Sequence, residues 1–409
     1  MAYLRSHTAH VAIILLLAVY PSIYHTLLNS PVQYEAQMLL PTVETMVGVL
    51  YFGLFAMSFD FISGYTGYLS FGHAAFYGTG AYTVILVANG KFPLLGPETP
   101  FMISLLVAGL LAVLVALLVG LVSFRLSGVY FAMITLGFAQ VLYVFIQGWD
   151  YVARNPRDGP AVGPSHASGF EIGVPWVDQL NLAIGVLTGD EVSLLGTTLS
   201  GTTVSFYMVG LVVLVCYFAM QRIIHSPFGR VMVAIRENEE RAVAIGYNTY
   251  VYKLAAFCMS GFFAGVAGAL FAGFKRSASP ENSFYFLVSG DALLASIIGG
   301  FGTLAGPLYG RLFDETVREF LSKSGQGGGL LPYLRLLLGE GTLSTPVVGG
   351  MTVGGLIDTL LNGHASLYVG IVFVLFVLYV PDGLLGTIRN RIGGTVADAL
   401  PAKVWDEDE

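Results

Sequence analysis

The chain has 409 residues, of which 55% are hydrophobic and 11% charged, against about 25% charged in an ordinary soluble domain. Water is therefore not its main solvent, and nothing in it reads as a soluble catalytic domain. The net charge of −7 comes with no basic stripe of the kind that holds a phosphate backbone, which argues against nucleic acid as a partner.

A bilayer is crossed by roughly 20 apolar residues in a helix, and the sequence offers such segments in series. The first runs from Val11 to about Leu28. It follows Arg5 and has the look of a secretory signal, but no small-residue cleavage site comes after it, so it reads as a helix. Next come Met38 to Phe59, Leu69 to Ala88, Phe101 to Phe124 and Gly128 to Trp149. After a long polar interval, Ser205 to Met220, Ala255 to Phe274 and Ser366 to Val380 follow. Phe286 to Leu321 is interrupted by Asp291, Arg311, Asp314, Glu315 and Arg318 and reads as two helices, or one helix and a hairpin. Cys216 and Cys258 lie inside apolar runs as small fillers, leaving no support for a disulfide framework or a metal site.

Lys and Arg in the connections set the expected orientation. Arg222, Arg230, Arg236, Arg241 and Lys253 place 222–253 inside the cell, and Arg389, Arg391 and Lys403 place the tail 386–409 there too. The acidic, Gly- and Pro-rich interval 150–202 belongs outside, as does 324–364. With the N-terminus inside, ten crossings return the C-terminus inside, provided that Phe286 to Leu321 crosses twice. The expectation is one all-α integral membrane domain over 1–409, with about ten transmembrane helices and Gly-rich interruptions.

Those interruptions are the first functional candidates. Gly64, Gly67, Ser70, Gly72, His73, Gly78 and Gly80 crowd one segment, and Gly299, Gly300 and Gly302 open a second one in the other half. Glycine costs a helix about 1 kcal/mol relative to Ala, and freed backbone groups in lipid need partners. Gly64 and Gly67 read as a helix break, whereas Ser70, Ala74 and Gly78 fit close helix packing. Interrupted segments in corresponding positions of two halves point to a membrane-embedded pathway. His73 is a functional candidate as a lone intramembrane imidazole, weighed against a structural hydrogen bond to a neighbouring helix.

The connection from Ser226 to Asn248 predicts a helix of about four turns, opened by Pro227 and closed near Gly246. Arg236 with Glu240 and Glu237 with Arg241 are i,i+4 partners. Ala242 and Gly246 form a small pair that would let another surface approach. A solvated surface helix and a docking helix for a cytoplasmic partner are both open readings, with Arg236, Glu237, Asn238, Glu239, Ala242 and Gly246 as candidates for the second. A third segment starts at Arg125, placed to snorkel to the interface. Gly128 and Gly137 thin the helix after it, and Thr135 and Gln140 read as interhelical hydrogen-bonding groups.

No phosphate-binding loop, nucleophile elbow, H-E-x-x-H zinc helix or paired intramembrane carboxylate occurs. An enzyme is thus a poor reading. Intramembrane acids are few, chiefly Glu44 and Asp291, which is thin material for a proton or sodium relay.

Several blocks together carry a resemblance. These are the glycine segment from Gly64 to Tyr82, R-L-x-G-V-Y-F-A-x-x-T-L-G-F from Arg125 to Phe138 (with Gly128, Tyr130, Thr135 and Gly137), S-P-F-G-R through A-x-x-x-G from Ser226 to Gly246, I-I-G-G-F-G-T-L-x-G-P from Ile297 to Pro307, and Tyr379 to Leu384. They resemble the inner-membrane permease subunits of branched-chain amino acid ABC importers, on the LivM-like side of the pair. The resemblance implies a second permease subunit, two cytoplasmic ATPase subunits that bind the ATP, and an extracytoplasmic binding protein, in the plasma membrane of a prokaryote. It also implies that the segment ending at Gly246 is the coupling segment seated in an ATPase groove. The chain departs from relatives in its 155–160 turn and acidic insert, in Gln140, and in the length of 324–363. Urea or short amides are the alternative cargo, and an ATP-independent channel or secondary carrier is the alternative class.

Overall fold

The computed structural model describes residues 8–28, 40–162, 170–171, 181–182, 191–194, 197–322, 337–339, 341–348, 351–361, 365–380 and 383–392. The acidic tail lies outside them, as do residues 324–336, 340, 349–350 and 362–364 of the insert. The helices are α1 (Thr8–Leu28), α2 (Val43–Thr66), α3 (His73–Ala88), α4 (Phe101–Ser123), α5 (Val129–Gln147), α6 (Gly201–Ile224), α7 (Pro227–Ala244), α8 (Thr249–Lys275), α9 (Pro280–Ser283), α10 (Phe286–Gly299), α11 (Gly306–Ser322), α12 (Val353–Leu361), α13 (Ala365–Tyr379) and α14 (Gly383–Ile392). Three small antiparallel hairpins decorate the connections: Phe170–Glu171 with Asn181–Leu182, Glu191–Leu194 with Thr197–Ser200, and Pro346–Val348 with Met351–Thr352.

Each of the ten segments expected to cross coincides with a helix, and Phe286 to Leu321 divides into two, α10 and α11, packed as an antiparallel pair. Among the described residues six segments, α2, α4, α5, α6, α8 and α9 with α10, are long and apolar enough to span a membrane. α3 and α10, with 16 and 14 residues, are shorter. At 1.5 Å per residue they reach only about 24 and 21 Å, less than the hydrocarbon core of about 30 Å, and α10 attains spanning length only together with α9.

Lipid inverts the usual polarity of a helix surface, because leucine gains nothing by leaving it and close backbone approach does the packing. On α4 the leucines at 106, 110, 114, 118 and 121 point outward, while Ala108, Gly109, Ala112, Ala116, Gly120 and Ser123 turn inward. The inward stripe meets α8, where Gly265 abuts Ala112 and Gly261 abuts Ala116. α8 is the hub, packed against α4, α3 and α2, and α2 is flanked in turn by α6, α10 and α11. α3 lies on the other side of the same glycine stripe: a Cβ at Gly80 would fall on the Gly265 carbonyl, and one at Gly268 on the Tyr77 carbonyl. Backbone cannot yield as a side chain can, so Gly80→Ala is expected to cost about 1–3 kcal/mol. A thermal melt in detergent should show this as a loss of several degrees, and an unchanged melt would refute the packing role of Gly80.

Candidate functional site

α2 continues past the expected end at Phe59, through Gly64, to Thr66, where Gly67 ends it in a left-handed conformation (φ 77°) with its N–H on the Ser63 carbonyl. That is a C-terminal cap that glycine adopts without strain. Residues 67–72 then turn back along α2, so α3 starts at His73 rather than Leu69, with its imidazole between Phe55 and Phe59. The chain has retraced about 10 Å of α2 at helical rise. The first N–H groups of α3 sit deep in the fold, and the Ala74 N–H is capped by Ser289 Oγ of α10 at 2.8 Å. His73 is fully buried, ringed also by Phe76 and Phe257. The Ser260 hydroxyl of α8 donates to the Ser58 carbonyl at 2.6 Å, which leaves His73 Nε2 as donor to Ser260 Oγ at 2.8 Å. This is the hydrogen bond to a neighbouring helix that competed with a functional role.

The second break, residues 300–305, joins α10 to α11. Gly300 and Gly302 take φ of 120° and 80°, and Thr303 Oγ1 donates to the Gly300 carbonyl at 2.6 Å. Gly299 lies against the Gly306 backbone and Gly310 against Ala295, which closes the hairpin tightly. The two breaks meet. A Cβ on Gly64 would lie 2.9 Å from Gly302 Cα, and Asp60 Oδ1 of α2 accepts from the Gly302 N–H at 3.0 Å. Asp60 is fully buried, and sequence reasoning missed it by ending the helix one residue earlier. The acids singled out instead behave otherwise: Glu44 sits half-exposed in the first turn of α2, 2.8 Å from Lys275. Gly72, Gly78 and Gly80 are packing positions. Added Cβ atoms there would meet the Thr135 backbone at 2.7 Å, the Phe284 ring at 2.5 Å and the Gly265 carbonyl. Ser70 is buried beside them.

α7 lies across this junction. It is two helical pieces joined at Asn238 (φ −162°, ψ 103°) rather than one rod. Asn238 Oδ1 accepts from the Arg241 N–H at 2.9 Å, so it caps the second piece. Asn followed by Glu-Glu-Arg is a recognisable N-cap pattern that a four-turn reading passes over. The kink takes Glu240 and Arg241 out of register with the first piece. Among the described residues Arg236 pairs instead with Glu237 Oε1 at 2.8 Å, and its Nη1 donates to the Gly64 carbonyl at 2.9 Å. Its aliphatic stem also passes Gly67, where an added Cβ would lie 3.3 Å away.

Glu239 makes the second link. It accepts from Tyr68 in the first break (2.7 Å), from Thr249 (2.8 Å) and from Lys253 (2.6 Å) of α8, while Lys253 also donates to Tyr68 Oη at 2.9 Å. Lys253 is buried against the Tyr68 and Phe124 rings. Burial acts to raise the Glu239 carboxyl, but the hydrogen bonds from Lys253, Tyr68 and Thr249 outweigh it and hold the carboxyl below its ordinary value. It is ionised at neutral pH. Tyr68 and Lys253 carried no signal in the sequence, because their partner lies 171 residues from one and 14 from the other.

Ala242 and Gly246 do not share an open face. Ala242 is buried, and Gly246 follows the helix in a left-handed turn (φ 95°) with open space around it. Of the third segment, Arg125, Gly128 and Tyr130 are exposed at the start of α5, and Gly137 faces open space. Thr135 is buried under Gly72, but its hydroxyl bonds the Ala132 carbonyl of its own helix rather than a neighbour. Cys216 and Cys258 are free thiols within the apolar packing.

Residues 42–338 match the family model described as "Branched-chain amino acid transport system / permease component". The chain is 28% identical over 281 residues to the high-affinity branched-chain amino acid transport system permease protein LivM of Escherichia coli strain K12, covering 68% of this chain and 63% of that protein. It is 27% identical over 286 residues to the LivM of Salmonella typhimurium strain LT2, with the same coverage. It therefore spans less than two thirds of the length of these relatives. No solved structure matches it. Both breaks, α7 and the Asp60 junction fall inside the matched residues, and the chain belongs to the branched-chain amino acid transport system permease family, a family of transport components rather than enzymes.

Proposed function

We propose that this chain is the membrane-spanning subunit of an ATP-driven importer of branched-chain amino acids, with ATP bound by separate cytoplasmic ATPase subunits seated on α7. The observation that carries the reading is the double attachment of α7: Arg236 holds the Gly64 carbonyl where the two glycine breaks touch, and Glu239 holds Tyr68 and Lys253. A displacement of α7 reaches the first break through two short polar links, and the second break through the hydrogen bond from the Gly302 N–H to Asp60. Two ATPase subunits, a second permease subunit and an extracytoplasmic binding protein complete the assembly, in the inner membrane of a prokaryote with both termini in the cytoplasm. The cargo assignment follows the matched relatives, whose names specify branched-chain amino acids. Urea or a short amide is the alternative cargo.

Cells expressing the chain with all these partners are expected to accumulate leucine, and cells lacking only the ATPase subunits are expected not to. Accumulation that persists without them would sink the ATP-coupled reading in favour of a channel or secondary carrier. Uptake of urea but not leucine in the complete system would move the cargo to the alternative.

A further inference from the structure

At the end of the bundle opposite α7, charged residues from three helices surround a cavity. Its volume is about 310 Å³, and it is lined by Thr42, Glu44, Thr45, Gly48 and Tyr51 of the α2 N-terminal region, Lys275 of α8, and Arg311 and Glu315 of α11. The charges are arranged as two pairs, Lys275 with Glu44 at 2.8 Å and Arg311 with Glu315. Arg311 is further fixed from behind, by Asp314 at 2.8 Å and by the Phe52 ring with its centroid 4.3 Å away. Lys275 and Glu44 are each more than a third exposed, whereas Arg311 and Glu315 are mostly buried. The cavity thus opens on its Lys275–Glu44 side and is closed on its Arg311–Glu315 side.

Ionisable groups in a membrane domain are costly and mark the routes of polar cargo. The number and balance of charges here are specific. The two cations and two carboxylates sum to zero, so neither a net anion nor a net cation is favoured. A free α-amino acid is neutral overall but carries an ammonium and a carboxylate on adjacent carbons, and it can enter by exchanging the two internal ion pairs for intermolecular ones at constant charge.

We propose that this cavity receives the zwitterionic end of a free amino acid, with its ammonium between Glu44 and Glu315 and its carboxylate on Lys275 and Arg311. The Thr42 and Thr45 hydroxyls lie within the same lining. The inference rests on the importer reading above and deepens it: the site reads the common backbone of the cargo, and its side chain is left to face elsewhere.

The test has two arms. In the first, the wild-type chain in lipid nanodiscs is treated with a water-soluble acylating reagent, and modification of Lys275 is followed by mass spectrometry. L-Leucine at millimolar concentration is expected to slow it by about tenfold, and leucinamide and 4-methylpentanoate, which each lack one charge, are expected not to. In the second, uptake is measured for the assembled transporter carrying Glu44→Gln with Lys275→Met, a neutral pair of similar size. Leucine uptake is expected to fall by about tenfold with ATP hydrolysis and membrane abundance retained. Equal protection by leucine, its amide and its deaminated acid, or no protection at all, overturns the site, as does uptake by the double variant within about twofold of wild type. If the double variant fails to accumulate, the protection arm alone decides. Failure of the importer reading is separately visible, as absence of leucine uptake by the wild-type assembly.

Discussion

Replacing Arg236 with Gln should leave ATP hydrolysis by the assembled transporter largely intact while reducing leucine moved per ATP by about tenfold or more. The guanidinium donates to the Gly64 carbonyl across 172 positions of sequence, and Gln is too short to reach it from the same backbone position. A hydrogen bond from a charged group to a backbone carbonyl contributes about 1.5–3 kcal/mol. Arg236 is about one third exposed, so the lower part of that range applies, and about 1.4 kcal/mol is already a factor of ten. Lys at the same position keeps the charge but not the fork that holds Gly64 and Glu237 together, and an intermediate defect is expected. Uptake per ATP equal to wild type in the Gln variant would show that α7 drives the breaks by another route.

The second large effect is expected at Gly64. A single added methyl in Gly64→Ala would lie 2.9 Å from Gly302 Cα and 2.6 Å from Asp60 Oδ1. Neither neighbour is the free end of a flexible side chain. The first is backbone, and the second is held by the Gly302 N–H. Relief requires the two breaks to part, at about 1–3 kcal/mol for the overpacking, with the buried Asp60–Gly302 hydrogen bond stretched as well. Gly64→Ala is therefore expected to insert into the membrane at normal levels, melt several degrees lower, and lose most uptake. Gly137→Ala is the matched control. It lies in open space within a helix, where Ala is favoured over Gly by about 1 kcal/mol, so neutral or slightly raised stability is expected. A Gly64→Ala protein with wild-type melting and uptake would remove the contact between the breaks from the mechanism.

The hydrophobic pattern made most of the fold legible. α4 and α13 lie within a residue of their expected bounds, because uninterrupted apolar runs carry their own ends. α2 did not. Its run was read as stopping before Asp60, and the group that bonds the buried Asp60 side chain, the Gly302 N–H, lies 242 positions away. The glycine stripe of α8 was hidden for a related reason: Gly261, Gly265 and Gly268 show their purpose only once α3 and α4 are seen against them. At the candidate site, the sequence pointed to Gly64 and Gly302 as breaks, which touch, and to Arg236 and Glu239 as docking residues, whose side chains turn instead to the first break and to α8. Tyr68, Lys253 and Asp60 were out of reach, because each is explained by a partner on another element. Ala242 and Gly246 do not form the shared open face expected of them, because i,i+4 spacing sets a face only while the helix lasts, and Gly246 lies beyond its end.

The break at Asn238 makes α7 a crank rather than a rod. The arm before it is tied to Gly64 and the arm after it to Tyr68 and Lys253, and the Asn238 side chain caps the second arm at the Arg241 N–H. A rotation of the first arm would therefore pull on the first break at Gly64, and a rotation of the second arm would pull on it at Tyr68.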